Sequence, residues 1–113
     1  MNIRVQKRFT VGQKWLSIAE PNLGLGKVVE VDGRTVSLYF DKNQEKRTYA
    51  HAQAPITRVK FSPGDKIKTQ DNKTVIIKTI KEQDGLYLYI GEYKGEHVTI
   101  IETELDVNTT FSQ

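Results

Sequence analysis

The chain comes close to repeating itself. Phe9-Thr10-Val11-Gly12-Gln13-Lys14-Trp15 is echoed 52 residues later by Phe61-Ser62-Pro63-Gly64-Asp65-Lys66-Ile67. At the same spacing Asp32-Gly33 recurs as Asp84-Gly85, Val36 and Leu38 as Leu88 and Ile90, and Tyr49 as Ile101. A fixed internal period means one structural unit built more than once, so 113 residues divide into two small copies. A unit of about 50 residues buries too little surface to be stable alone, so the copies are expected to lean on each other. The expected division is 1–55, a first unit with a short N-terminal arm, and 56–113, a second unit with a C-terminal tail.

Each copy reads as strands and turns. In the stretch from Gly24 to Phe40 the dipeptide Asp32-Gly33 separates two apolar runs, a strong signal for a hairpin closed by a type I′ turn, which needs positive φ at both central residues. Alternation then puts Val36, Leu38 and Phe40 on one face and Thr35, Ser37 and Tyr39 on the other. The second copy carries the β-branched run Thr74 to Lys81, which disfavours a helix, and across Asp84-Gly85 the alternating Leu86-Tyr87-Leu88-Tyr89-Ile90. Trp15 is expected in a core with its indole N–H on a backbone carbonyl. His51 to Pro55 reads as the connector, and Leu105, Val107 and Phe111 are spaced along a polar tail that packs or hangs free. No segment has helical periodicity, so the expectation is an all-β chain of two tandem small barrels with about five strands each.

Composition sets the class. Hydrophobic residues make up 37% and charged residues 27%, which fits a folded globular chain rather than a disordered one. The absence of cysteine excludes a disulfide framework and thiolate chemistry, and a reducing, cytoplasmic setting is expected. Arg4, Lys7 and Arg8 precede no apolar signal segment and no run is long enough to span a bilayer, so no membrane partner is expected. Residues 1–56 hold nine Lys/Arg and five Asp/Glu, whereas residues 57–113 hold eight and nine. The basic bias lies in the first copy, and its size does not by itself specify nucleic acid as a partner.

Tests for catalytic chemistry fail. Gly24-Leu25-Gly26-Lys27 looks like phosphate-binding material, but a P-loop needs glycine where Pro21 stands and Ser or Thr where Val28 stands. His51 and His97 lie in different copies without metal-ligand spacing, and no metal or other cofactor is expected. Glu30, Asp32, Glu82 and Asp84 sit at turns, and no serine lies in a nucleophile elbow. No catalytic residue is assigned. Tyr39, Tyr87 and Tyr89 alternate with the presumed core positions, which makes them either packing residues between strands and units or an outward binding surface. With Arg58 and Lys60 near the junction they form the partner-binding candidates. Lys14, Lys27 and Arg34 are the candidates for contacting RNA or DNA.

The motifs Phe9-Thr10-Val11-Gly12-Gln13-Lys14-Trp15, Leu23-Gly24-Leu25-Gly26-Lys27-Val28-Val29, Thr48-Tyr49-Ala50, Ala54-Pro55-Ile56-Thr57-Arg58-Val59 and Phe61-x-Pro63-Gly64-Asp65 together resemble the N-terminal region of the RapA family. These are bacterial RNA-polymerase-associated ATPases of the Swi/Snf type. The resemblance runs from about Phe9 to Phe111. It implies two tandem Tudor-like or KOW-like barrels of the Src-homology-3-like kind, as the repeat suggested independently. It also implies a non-catalytic regulatory module that docks on RNA polymerase, restrains the ATPase core of the same protein and serves polymerase recycling in the bacterial cytoplasm, associated with the nucleoid. The ATPase motor follows this region in the family and none of its motifs occurs here, so the chain reads as the excised regulatory part or a stand-alone relative. The alternative is a tandem barrel module that binds nucleic acid directly.

Overall fold

The structure, a computed structural model, describes residues 9–106. Within them nine strands form two curled antiparallel sheets, and no α-helix is present. The first sheet contains β1 (Lys14–Ser17), β2 (Leu25–Val31), β3 (Thr35–Phe40), β4 (Glu45–Ala50) and β5 (Ile56–Arg58), in the order β4-β3-β2-β1-β5. The second contains β6 (Lys66–Lys68), β7 (Thr74–Gln83), β8 (Leu86–Tyr93) and β9 (Glu96–Ile101), in that order. Strand β5 lies beyond the expected division after residue 55, yet it pairs with β1 in the first sheet. The expected N-terminal arm, Val107 and Phe111 fall outside the described residues.

The copies share a plan. In each, the glycine of the opening turn has a positive φ, +102° at Gly12 and +94° at Gly64, and its N–H reaches the next long strand at Val28 or Ile77. Both long strands then carry a register shift, after Val28 and after Ile77. The 52-residue spacing nevertheless does not run through the whole repeat. By hydrogen-bonded position Val28 matches Ile77, Leu38 matches Gly91, and Arg47 matches Val98, separations of 49, 53 and 51 residues. The second hairpin is longer than the first, and compensating length changes restore the overall register.

Two expectations fail for that reason. Asp84 and Gly85 take φ of +53° and +82°, as a type I′ turn demands, and Gln83 pairs directly with Leu86. Asp32-Gly33 does not form that turn. The last pair there is Val31 with Val36, and the Asp32 carboxylate closes the longer connection by accepting N–H bonds from Arg34 and Thr35. The longer second hairpin also reverses which residues of β8 face inward. Tyr89 is 0% exposed and lies in the core, while Leu88 and Ile90, expected there, are half-buried on the opposite face.

The first core holds Trp15, Val28, Val36, Leu38, Phe40 and Ile56, with Phe9 packed at a tilt against Trp15, 5.0 Å between centroids. Here alternation placed Val36, Leu38 and Phe40 correctly, and all three are 0% exposed. The second core gathers Phe61, Ile67, Val75, Ile77, Tyr89, Ile100 and Leu105, so the start of the tail packs. Leu25, on the outward face of β2, belongs to this second core, and Leu16 of β1 packs beside it. The first sheet therefore supplies apolar cover for both cores.

The two Asp-Gly sites should answer differently to the same substitution. Gly85→Ala places a Cβ against the Thr10 hydroxyl at a positive φ and is expected to cost at least about 1 kcal/mol. Gly33→Ala opens onto free space without positive φ, so its midpoint in thermal or urea unfolding should stay near wild type.

Candidate docking site at the junction of the sheets

The junction is built around a buried carboxylate. Glu102, in the 3-10 turn after β9, is 0% exposed. It accepts the backbone N–H of Lys14 at 3.0 Å and that of Tyr87 at 2.7 Å, and it is ion-paired with the Arg58 guanidinium. These donors come from β1, β8 and β5. Arg58 also donates to the Gly85 carbonyl at 2.8 Å, which accepts a second bond from Gln13 Nε2 at 2.9 Å. Gln13 Oε1 in turn accepts the indole N–H of Trp15, a side-chain amide where a backbone carbonyl was expected. One polar network thus runs from the first core to the turn of the second hairpin.

Above this network lies a small aromatic and cationic platform. The Arg58 guanidinium carbon sits 4.1 Å from the Tyr87 ring centroid and the Lys60 ammonium 5.2 Å from it. Arg58 and Tyr87 are half-buried, and Lys60 is exposed. Three of the predicted partner-binding residues are therefore brought together. Tyr89 is not among them, since its side chain is buried and its hydroxyl accepts the Phe61 N–H at 3.2 Å. Burial, the largest influence, pushes the Tyr89 phenol up to about 12. Tyr39 stands apart on the first sheet, paired across strands with Lys27 and Lys46.

The nucleic-acid candidates separate in the same way. Lys14 pairs with Lys27 across β1 and β2 but is only 1% exposed. Burial, followed by the like charge of Lys27, holds its amine below the usual lysine value, against the opposing pull of Asp41, Glu102 and Asp106. Lys27 is half-buried, and Arg34 is exposed in the β2–β3 connection at the other end of the hairpin. Among the described residues no three His, Asp or Glu side chains converge as metal ligands, and no helix is long and apolar enough to cross a membrane.

Glu102 and Gln13 had not been singled out from the sequence. The one available signal is position: Glu102 directly follows the apolar pair Ile100-Ile101, where an acid has to be exposed or satisfied.

Comparison with known proteins gives two matches in tandem. A family model described as RapA N-terminal Tudor like domain 1 matches residues 9–59, and one described as RapA N-terminal Tudor like domain matches residues 61–113.

The network predicts a large cost for one atom's change. Glu102→Gln removes the charge facing half-buried Arg58 and should destabilise by about 3 kcal/mol or more in urea unfolding. Tyr89 predicts a pH response with a definite sign. Its folded value of about 12 lies above the ordinary 10.0, so the folded state holds the proton longer and this residue's contribution falls as pH rises from 10 to 12. Tyr89→Phe should flatten that part of a stability-versus-pH curve.

Proposed function

Because the chain belongs to the family of RapA N-terminal Tudor-like domains, we propose that it is a non-catalytic docking and regulatory module that binds RNA polymerase and restrains the RapA ATPase motor during polymerase recycling. The observation that carries this reading is the Tyr87, Arg58 and Lys60 platform at the seam of the two sheets. Tyrosine and arginine dominate the energetics of small protein interfaces, because they bury large area for few rotatable bonds. Here Arg58 is already held by Glu102 and Gly85, so little side-chain freedom remains to be lost on binding. A partner seated on the seam touches residues fixed by both sheets, which suits a module that passes on whether polymerase is present. The reading needs no cofactor and no catalytic group in this chain, and it places the module beside polymerase in the bacterial cytoplasm.

Lys60 gives the cleanest test, since it is exposed and lies outside the buried network. Lys60→Glu should leave the melting temperature unchanged and weaken retention by purified RNA polymerase severalfold, on the order of 1 kcal/mol, with the effect largest at low salt. Equal retention of the variant and wild type would remove the platform from the interface.

A further inference from the structure

The outer face of the first sheet carries a row that the docking platform does not use. On it Lys27 of β2, Tyr39 of β3 and Lys46 of β4 are consecutive cross-strand partners. The neighbouring pairs Val28 with Leu38 and Gly26 with Phe40 point into the first core, so this row points away from it. Adjacent strands lie about 4.8 Å apart, which sets the backbones of the two lysines about 10 Å from one another with Tyr39 on the strand between them. Lys14 continues the row on β1, but it is buried and faces Asp41, Glu102 and Asp106, so it stays outside the strip that solvent reaches. The next pairs along the face offer Ser37 and Thr48, whose hydroxyls share a 2.8 Å hydrogen bond, and Glu30, which makes a 3.7 Å pair with Lys46.

We propose that the row Lys27, Tyr39 and Lys46 is a binding strip for single-stranded nucleic acid, with one base stacked on Tyr39 and the flanking phosphates met by the two lysines. A flat aromatic face between two point charges matches a base between its phosphates, and stacking on tyrosine tolerates any base. The row has no arginine fork to read base edges, so sequence preference is not expected. The Glu30–Lys46 pair is more than half exposed at both ends, so a phosphate can displace it at little cost. An acidic peptide would use the lysines but gain little from the ring between them. The proposal does not rest on the docking reading, because it uses a different face and different residues.

The test is fluorescence anisotropy of the full chain with a short labelled oligo-dT at low salt, with oligo-rU, a duplex of equal length and a Glu-rich peptide as comparisons. Saturable binding to both single strands is expected, with log affinity falling against log salt at a slope of about −1.4 for two phosphate contacts. Tyr39→Ala should weaken binding about tenfold while Tyr39→Phe matches wild type. Lys27→Gln with Lys46→Gln should remove most of the salt dependence, Glu30→Gln should tighten binding, and Lys78→Gln on the second sheet should change nothing. No saturable binding at low salt, equal affinity for folded Tyr39→Ala and wild type, or equally tight binding of the Glu-rich peptide would each overturn the proposal. Polymerase retention is expected to be the same for Tyr39→Ala and wild type, so failure of the strip and failure of the docking platform are read separately.

Discussion

The Glu102 carboxylate is the point on which the two sheets depend. A charged oxygen pair with no solvent access is tolerable only when its hydrogen bonds are made by the protein, and two backbone N–H groups and Arg58 provide them. The two amides matter as much as the ion pair. They belong to β1 and β8, whose backbones are fixed by their own ladders, so the carboxylate is anchored to both sheets at once and each sheet's position constrains the other. Hydrophobic contact alone would be less selective, since the packing of Leu25 and Leu16 on the second core is non-directional. The polar network supplies the directionality that the apolar seam lacks.

How much of this was legible in the sequence depended on whether a feature is local. Val36, Leu38 and Phe40 could be read because three alternate residues on one short strand have only two possible faces. Asp84-Gly85 could be read because its turn geometry is a property of two residues. The inward face of β8 could not. It is set by the length of the hairpin, and the repeated Asp-Gly dipeptides occupy different structural positions in the two copies, so matching them places every residue of β8 on the wrong face. Tyr89 then appears outward when its hydroxyl is in fact needed by the Phe61 N–H inside the core. Glu102 was hidden for another reason. Its Lys14 donor is 88 residues away and is a backbone amide, which leaves no mark on residue type.

The reversal gives the two copies different surfaces. In the first sheet alternation leaves Lys27, Tyr39 and Lys46 outside, and in the second it leaves Leu88 and Ile90 outside with Thr79, Lys81 and Thr99 as cross-strand neighbours. Duplicated units that keep one fold can therefore diverge in what they present simply by a change in hairpin length, with no change in the turn that starts each copy. The opening turns support this, since Gly12 and Gly64 keep nearly the same backbone and the same bond to the following strand.

Strand β1 stands between the two candidate surfaces. Its Lys14 carbonyl accepts the Val59 N–H and its Trp15 pairs with Arg58, which ties it to the docking platform, while its Lys14 also opens the row that runs on to Lys27 and Tyr39. Any change that loosens β1, including loss of its bond to Glu102, would disturb both surfaces together and make their roles inseparable. Residues whose side chains leave the network untouched, Lys60 at the seam and Lys46 on the sheet, are the ones through which each surface can be altered alone. The architecture thus couples the surfaces through the backbone and keeps their chemistry on separate side chains, so a partner on one can be felt at the other only to the extent that it moves β1.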